Sequence, residues 1–337
     1  MTHQETAEEA FEVKKAVRHA VPQIMSIWGV TFSGKTFGAI MVAAGLVKMG
    51  GKVGVIDTEN GRFSAYADDP DVQRVLPQGC YVIDLHPPFH PKRYIAAIHQ
   101  LERDGCEVII IDSGSHAWSE EGGALDMKER DKGWVQAKLW TKRFLAAIRY
   151  SNSHVIVALR AQEKTKILGT GKDQKYIPLG ILPICDKAFP YDLGLAFSVD
   201  GEVDGKPATH LATPVKWPKA MNSLFNDWMP QLLTPEVGRK IREWNESGTA
   251  QDQWEPTRKR ARATAEEGIT AYKAFCASLT APAKKAMGKA LYDELLARAA
   301  EVDALTQAAA EEAGASVTPT DASEAPHGET VAQRSPL

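Results

Sequence analysis

The chain has 337 residues, of which 40 are Lys or Arg and 43 are Asp or Glu, and 44% are hydrophobic. This composition is typical of a globular protein with a substantial core, and the length allows one large domain with a small appendage. We find no run of about 18 apolar residues, no signal-peptide pattern and no CxxC pair among the four cysteines. The sequence therefore predicts a cytoplasmic protein without a membrane span or a structural zinc site.

Acidic residues are concentrated toward the C-terminal end, although the net charge of the chain is only −3. From Glu301 onward there are seven acidic residues and one basic residue. The rest of the chain is therefore mildly positive, which is compatible with a nucleic-acid partner but does not by itself indicate one.

Strand and helix patterns alternate over residues 21–233, after a polar tail at residues 1–20. Short apolar runs predict strands near residues 23–28, 52–57, 81–85, 107–112, 154–159, 193–199 and 210–213. Helical spacing of apolar residues predicts helices near residues 35–49, 91–103 and 134–150. This alternation is typical of a parallel α/β sheet, and the unbroken apolar run before Asp112 suits a strand that is buried on both faces.

The remaining C-terminal part has a different pattern. A polar stretch that contains Trp and Pro predicts a linker over residues 234–262. Apolar residues then recur at helical spacing, from Ile269 to Leu279 and again after Pro282, which predicts a small helical appendage over residues 263–312. Residues 313–337 are acidic and rich in Ser, Thr, Pro and Ala, a composition that predicts a disordered tail.

The strongest motif is GxxxxGK[ST], which lies between the first predicted strand and the first predicted helix. Glycines in this motif let backbone N–H groups turn around phosphate oxygens, and the start of the helix adds partial positive charge. Lys35 is expected to contact the β- and γ-phosphates of ATP, and the Thr36 hydroxyl is expected to ligate Mg²⁺. The predicted ATP-binding residues are Gly29, Val30, Thr31, Phe32, Ser33, Gly34, Lys35 and Thr36.

Two acidic residues at strand ends are candidates for the chemistry. Asp112 ends the apolar run VIIID and is expected to hold Mg²⁺, through a water molecule. Glu59 follows the strand after the phosphate-loop helix and could act as general base on the attacking water, although Asp57 or Glu59 could instead cap a turn. Ser113 rather than Glu follows Asp112, which argues against a ring ATPase of the AAA+ kind. The absence of an NKxD motif favours ATP over GTP.

A third position lies just after the strand predicted at residues 154–159, in the segment RAQEK. A polar side chain there could sense the γ-phosphate and transmit its state to the following loop. Gln162 is the preferred candidate and Arg160 the second, and the alternative is a solvated strand end without such a role. With Lys35 and Glu59, Gln162 completes the predicted catalytic set.

In this order, the segments GVTFSGKT, IDTE, IIIDSGSHAW and VIVALRAQEK resemble the RecA-like ATPases. The segments DSGSHAW, HVIVALRAQEK and PLGILPICDKAFPYDLGLAF are closer to a group of phage-encoded AAA-type ATPases, some of which act in single-strand annealing or recombination. The resemblance covers about residues 22–233. It implies a P-loop NTPase fold with a mostly parallel RecA-like sheet, a homo-oligomer, and DNA-stimulated ATP hydrolysis on single-stranded DNA in recombination, repair or replication. For a phage-encoded protein, the location is the host-cell cytoplasm.

RecA-like proteins contact single-stranded DNA through mobile loops, which by position correspond to residues 119–133 and 163–178 here. The first segment mixes basic and acidic residues, whereas the second is net basic and contains glycines. Lysines in such a loop suit sequence-independent contact with phosphates. The predicted DNA-binding residues are Lys164, Lys166, Lys172 and Lys175. A neighbouring subunit completes the site in RecA-like proteins, and Lys164, Lys166 or Lys187 is a candidate for that role.

Two other groups of residues are weighed for function. His116 and Trp118 are predicted to be structural, because no second metal ligand stands near His116. The basic cluster of Arg258, Lys259, Arg260 and Arg262 could follow a nucleic-acid backbone, but the start of an exposed helix is the preferred interpretation.

Two other classes of function remain open at this stage. A small-molecule kinase would need an acceptor pocket and a lid in place of a DNA-binding loop. An ATP-dependent assembly or loader protein would bind ATP and assemble without binding DNA. The rate of ATP hydrolysis with and without single-stranded DNA separates these classes from the preferred one.

Overall fold

A single mixed sheet forms the centre of the protein. The computed structural model describes residues 15–130, 134–168, 174–203, 205–248 and 254–315, and all structural statements refer to these residues. The strands are β1 Ile24–Gly29, β2 Lys52–Asp57, β3 Cys80–Asp84, β4 Cys106–Asp112, β5 His154–Leu168, β6 Lys175–Pro183, β7 Leu195–Val199 and β8 Ala212–Lys216. Their order across the sheet is β3-β2-β4-β5-β1-β7-β8, and β6 pairs with β5 outside this path. The β5–β6 and β7–β8 pairs are antiparallel, and the other pairs are parallel.

The helices lie between and after these strands. They are α1 Lys35–Leu46, α2 Pro70–Val75, α3 Pro91–Arg103, α4 His116–Ser119, α5 Ala124–Arg130, α6 Val135–Arg149, α7 Phe189–Asp192, α8 Asn222–Phe225, α9 Pro235–Glu246, α10 Glu255–Ala265, α11 Ile269–Ser278, α12 Ala281–Met287 and α13 Lys289–Ala315. No helix in the described ranges is both long and apolar enough to cross a lipid bilayer.

Alternate residues of β4 face two separate apolar clusters. Val108 and Ile110 pack in the cluster that contains α1, whereas Ile109 and Ile111 pack in the cluster that contains α3 and α6. Successive side chains of a strand point to opposite faces, so β4 is covered on both faces, as its unbroken apolar run predicts. The clusters fix the ends of the parallel strands at one edge of the sheet.

The prediction of a linker over residues 234–262 is wrong for most of that range. Helix α9 packs directly against α1, with Val237 and Ile241 buried in the apolar cluster of that helix. The two helices approach so closely that a Cβ atom on Gly45 would lie 1.9 Å from the Pro235 carbonyl oxygen. Helix α10 starts at Glu255, also inside the predicted linker. Both helices are rich in charged and polar residues, so the few apolar residues that they bury do not stand out in the sequence.

Helices α10 to α13 form a separate apolar cluster, which includes Tyr272, Leu295 and Ala299. The prediction of a small helical C-terminal appendage is therefore confirmed, with its first helix starting before residue 263. Together with the mostly parallel sheet and its flanking helices, this confirms the predicted α/β fold of a RecA-like P-loop NTPase. The predicted tail at residues 313–337 lies almost entirely outside the described residues.

Candidate active site

The phosphate loop connects β1 to α1 at the edge where the parallel strands end. Gly34 precedes α1 and has a φ of +85°, a left-handed conformation that favours glycine. Lys35 donates a hydrogen bond from Nζ to the Val30 carbonyl oxygen at 3.2 Å. The Ser33 hydroxyl is buried and has no hydrogen-bond partner in the described residues. That hydroxyl packs against Gly29 on the inner side of the loop, whereas Thr31, Phe32, Gly34, Lys35 and Thr36 line the cavity in front of the 12-residue helix α1.

Thr36 and Asp112 meet at the base of this loop. The Thr36 hydroxyl donates a hydrogen bond to Asp112 Oδ2 at 2.5 Å. Burial raises the pKa of Asp112 to about 6, although the hydrogen bond from Thr36 and the charge of Lys35 act in the opposite direction. A hydroxyl and a carboxylate are hard oxygen ligands of the kind that Mg²⁺ takes together with substrate phosphates and water. The two residues therefore fit the predicted metal, and they are the ones that would hold it.

A cavity of about 530 Å³ opens between the phosphate loop and the 3₁₀ segment Arg62–Asp68. Its lining includes the predicted residues Lys35, Thr36, Glu59 and Asp112. Burial lowers the pKa of Lys35, while the negative charges of Asp112 and Glu59 raise it. The sheet thus brings together residues from three separate segments of the sequence, and the cavity is large enough for a small organic ligand.

Asp57 and Glu59 have different roles in the turn after β2. The backbone N–H groups of Glu59 and Phe63 donate hydrogen bonds to the two oxygens of Asp57, at 2.7 and 3.0 Å. Asp57 therefore caps the turn, and the Glu59 side chain projects into the cavity. This arrangement leaves Glu59, and not Asp57, as the candidate general base.

Arg160 holds the Glu59 carboxylate from β5. Its Nε and Nη2 donate hydrogen bonds to the two oxygens of Glu59, at 3.0 and 2.9 Å. Burial pushes the pKa of Glu59 upward, but the hydrogen bonds and charge of Arg160 outweigh burial and the net shift is downward. Gln162, the preferred sensor in the sequence, lies two residues further along β5, where it is exposed and does not line the cavity. Arg160, the second candidate for the sensor, lines the cavity where the sequence predicts Gln162.

His116, predicted to be structural, lies beside the Glu59 carboxylate. Its Nδ1 lies 2.8 Å from the Thr58 hydroxyl, and its Nε2 lies 3.5 Å from Glu59 Oε1. The imidazole is buried, and burial lowers its pKa with a further contribution from the charge of Arg160. No sequence pattern pairs positions 59 and 116, because only the parallel pairing of β2 with β4 brings the two segments together.

The predicted DNA-binding segment 163–178 is not a loop at its two ends. Residues on both sides continue β5 and β6 as an antiparallel hairpin, in which Lys166 pairs with Ile177 and Leu168 with Lys175. Lys164 donates a hydrogen bond to the Pro183 carbonyl oxygen at 3.0 Å, whereas Lys166 and Lys175 are exposed. Lys172 lies outside the described residues. Backbone pairing therefore continues where the sequence predicts flexibility.

The other predicted DNA-binding regions are held by contacts within the chain. In the segment 119–133, Arg130 pairs with Asp126. Trp118 and Trp134, which flank the segment, stack on each other with ring centroids 6.3 Å apart. Trp118 also packs against the small apolar cluster of α5 and α6, as its structural assignment predicts.

The basic cluster at the start of α10 is likewise engaged in ion pairs. Arg260 pairs with Glu102 at 2.6 Å, and Arg258 and Arg262 pair with Glu255 at 3.1 and 3.3 Å. The predicted helix is present, but the prediction that it is exposed is wrong, because the side chains of Arg258 and Arg260 are only 21% and 17% exposed. The ion pairs join α10 to α3 and to its own first turn.

A match to one protein family agrees with the site geometry. A family described as an AAA domain matches residues 22–182. Among solved structures, a KaiC-like protein from the hyperthermophilic archaeon Pyrococcus horikoshii OT3 has 11% sequence identity and a TM-score of 0.37, over 61% of this chain and 89% of that chain. No curated protein sequence matches significantly. The family match and the phosphate loop at the edge of a mostly parallel sheet make the chain a P-loop ATPase.

Proposed function

We propose that the protein binds ATP with Mg²⁺ and hydrolyses it in the cavity at the phosphate loop, acting on single-stranded DNA. The observation that carries the ATPase part is the convergence of Lys35, Asp112, Glu59 and Arg160 on one cavity. Lys35 and Glu59 follow β1 and β2, Asp112 ends β4, and Arg160 lies in β5 opposite the last residue of β1, so all four are at one edge of the parallel part of the sheet. Ligands of open α/β sheets bind at that edge.

The side chains present match the needs of phosphoryl transfer, which is catalysed mainly by positioning and charge. Lys35 would contact the β- and γ-phosphates at the start of α1. Mg²⁺ held by Thr36 and Asp112 would neutralise phosphate charge when bound. Glu59 would accept a proton from the attacking water.

Arg160 engages both oxygens of Glu59, yet a general base needs an oxygen that faces the water. Phosphate is a strong acceptor for a guanidinium group, and an Arg–phosphate contact is charge-assisted. We propose that the γ-phosphate draws Arg160 away and so frees one oxygen of Glu59. Arg160 thereby takes the sensing role first considered for Gln162.

The β5–β6 hairpin supports the proposed contact with single-stranded DNA. It continues the strand that carries Arg160, so the nucleotide site and the hairpin share one backbone. Lys166, Leu168, Lys175 and Ile177 fall on one face by register, which combines positive charge with exposed apolar surface. The lysines of such a face suit sequence-independent contact with the phosphates of a single strand.

This proposal extends to the assembly and to the process. We infer a homo-oligomer in which a neighbouring copy contributes a cation to the cavity, and the exposed Lys187 is the candidate for it. The DNA contact and the resemblance to phage-encoded ATPases support a role in phage-type recombination, repair or replication, in the cytoplasm of the host cell.

The test is the steady-state rate of ATP hydrolysis, measured with and without a single-stranded oligonucleotide. Glu59→Gln should retain ATP binding but lower kcat by roughly 10²–10⁴-fold, because the amide cannot accept the proton from water. Lys35→Ala should lose ATP binding itself, since it removes the main positive charge on the β- and γ-phosphates. Lys48→Ala is the matched control, because Lys48 is exposed beyond the other end of α1.

Each outcome separates the parts of the proposal. Parent-like hydrolysis by Glu59→Gln would contradict the role of Glu59. A parent enzyme that hydrolyses ATP but neither binds DNA nor responds to it would contradict the DNA part. Transfer of phosphate to a small molecule would favour a kinase, and ATP-dependent assembly without DNA binding would favour a loader or scaffold.

A further inference from the structure

The Glu59 carboxylate needs a second anchor if Arg160 moves to the γ-phosphate. This inference rests on the proposed function, in which Glu59 is the general base and its pairing with Arg160 is released by ATP. A base that lost its only partner would sample several rotamers, and a displacement of about 1 Å from the productive geometry lowers a rate by roughly 10²-fold. A group that stays in place while Arg160 moves would prevent that loss.

Two other cations or donors lie within 4 Å of the Glu59 carboxylate in the described structure. Arg62 Nη1 is 3.8 Å from Oε2, but its side chain is 76% exposed and has no fixed position to impose. His116 Nε2 is 3.5 Å from Oε1, and its side chain is only 5% exposed. His116 is therefore the candidate that the surrounding protein holds still.

Contacts on both sides of the ring fix the imidazole of His116. Its Nδ1 lies 2.8 Å from the Thr58 hydroxyl, and that hydroxyl oxygen also accepts a hydrogen bond from the Ser113 backbone N–H at 2.7 Å. The Phe89 ring packs against the imidazole with centroids 4.9 Å apart. The ring is thus attached to the ends of both β2 and β4, which carry the site.

The same contacts favour one tautomer of His116, because the Thr58 hydroxyl lies nearer to Nδ1, at 2.8 Å, than to its other acceptor, the Ser113 carbonyl oxygen, at 3.3 Å. Its Nε2 is buried without a hydrogen-bond partner in the described residues and faces a carboxylate oxygen. A proton on Nε2 is attracted by that carboxylate, and Nδ1 then accepts a hydrogen bond from the Thr58 hydroxyl. Burial lowers the pKa of His116, so the ring is neutral and offers this one N–H group.

We propose that His116 is the positioning residue of Glu59, and that it holds the carboxylate through its Nε2–H group when Arg160 moves to the γ-phosphate. The 3.5 Å separation is longer than a good hydrogen bond while Arg160 occupies both oxygens. A small shift of Glu59 away from Arg160 shortens the distance between His116 Nε2 and Glu59 Oε1 to that of a hydrogen bond. Thr58, which fixes the orientation of the ring, belongs to the same device.

The test compares three variants of His116 and its surroundings by kcat for ATP and by the Kd of ATP. His116→Ala should lower kcat by roughly 10²-fold and leave the Kd nearly unchanged, because the residue acts on the base and not on the phosphates. His116→Gln should recover much of the lost rate, since its amide nitrogen reaches the place of Nε2 and donates. Thr58→Val, which has nearly the same shape, should lower kcat in the same direction.

Two controls distinguish positioning from loss of structure. His99→Ala removes another buried histidine, on α3 outside the cavity lining, and should leave kcat at the parent value. On the Glu59→Gln background, His116→Ala should produce no further loss, because the group that it positions is already removed. Thermal melting and ATP binding verify that each variant is folded.

The outcomes separate this inference from the proposed function. A fully active Glu59→Gln variant would overturn the role of Glu59 and, with it, that of His116. An inactive Glu59→Gln variant together with parent-like kcat in both His116→Ala and Thr58→Val would overturn only the positioning role. Equal loss in His116→Ala and His116→Gln, with both variants folded, would also overturn it, because rescue by a donor is its specific consequence.

Discussion

Strand β5 has two halves that share one backbone but lie in opposite surroundings. Residues 154–159 run between β1 and β4 in the middle of the sheet, and Val155 to Leu159 are at most 1% exposed. Residues 161–168 extend beyond β1 and β4 and pair with β6, and Ile167 is 53% exposed. Arg160 lies at the boundary, opposite Gly29 of the phosphate loop.

The difference shows that pairing and burial are separate properties of a strand. The first half is held by side-chain packing on both faces and by parallel partners on both edges. The second half is held mainly by its backbone hydrogen bonds to β6, and its side chains are available to a partner. When Arg160 moves, the buried half of β5 that precedes it is held in place by its packing, whereas the exposed hairpin that follows it is free to respond.

The largest expected effect tests the energetic side of this comparison. Ile156→Ala, in the buried half, should lower the free energy of unfolding by about 2–5 kcal/mol, because it leaves a cavity in a fully packed core. Ile167→Ala, in the exposed half, should change it by less than about 0.5 kcal/mol. Urea denaturation of the two variants measures both values. A large loss for Ile167→Ala would show that another part of the protein covers the hairpin.

The sequence predicts the first half of β5 well and the second half poorly, for a physical reason. The short apolar run VIVAL is rich in β-branched residues, which favours a buried strand over a buried helix, so residues 154–159 are recognisable. The second half, RAQEKTKIL, alternates charged and apolar residues weakly, and its partner strand contains Pro178 and Gly180. Such a strand is specified by its pairing, which a local pattern does not contain.

The active site divides in the same way. Lys35, Thr36 and Asp112 belong to local motifs whose residue types and spacing already specify a phosphate site, so they are predictable. The contacts of Glu59 with Arg160 and His116 depend on the alignment of strand ends far apart in the sequence. The local pattern does not choose between Gln162 and Arg160 for that reason, since both lie in the same strand, β5.

A smaller effect is expected from the first residue of the buried half. His154 Nδ1 accepts a hydrogen bond from the Gln23 backbone N–H at 2.9 Å, and burial, with the charge of Lys48, lowers the pKa of His154 to about 4. The unfolded chain, with an ordinary histidine pKa of about 6.5, therefore takes up a proton at a pH where the folded chain does not. The contribution of His154 to the free energy of unfolding is fully present above the ordinary pKa of about 6.5, and it is lost as the pH falls from there toward 4.

This residue should account for a loss of about 2 kcal/mol in the free energy of unfolding between roughly pH 7.5 and 5. His154→Asn keeps an acceptor near the position of Nδ1 but does not titrate. Over the same pH range, the free energy of unfolding of this variant should therefore fall by about 2 kcal/mol less than that of the parent. Urea denaturation at several pH values measures the difference. Parallel curves for the parent and the variant would contradict a buried, neutral His154.

The smallest expected effect belongs to the exposed half and concerns DNA. Lys166 and Lys175 share one face of the hairpin, and each contact with a phosphate of a single strand contributes about 0.7 to the slope of log K against log salt. Replacing both with Ala should reduce the steepness of that slope by about 1.4. When salt rises from roughly 50 to 200 mM, the affinity of the parent should therefore fall about sevenfold more than that of the variant. ATP binding should be unchanged, because neither lysine lines the nucleotide cavity.

A salt titration with a labelled oligonucleotide compares the double variant with the parent and with a control pair. Lys48 and Lys240 suit the control, because they lie at the end of α1 and on α9 and pair with Glu246 and Glu236. Their replacement removes the same charge without touching the hairpin, so only nonspecific charge effects should appear. A slope that falls equally in both pairs would indicate that net charge, and not the hairpin face, determines binding. A slope that falls only in the hairpin pair would assign the DNA contact to the exposed half of the strand that carries Arg160.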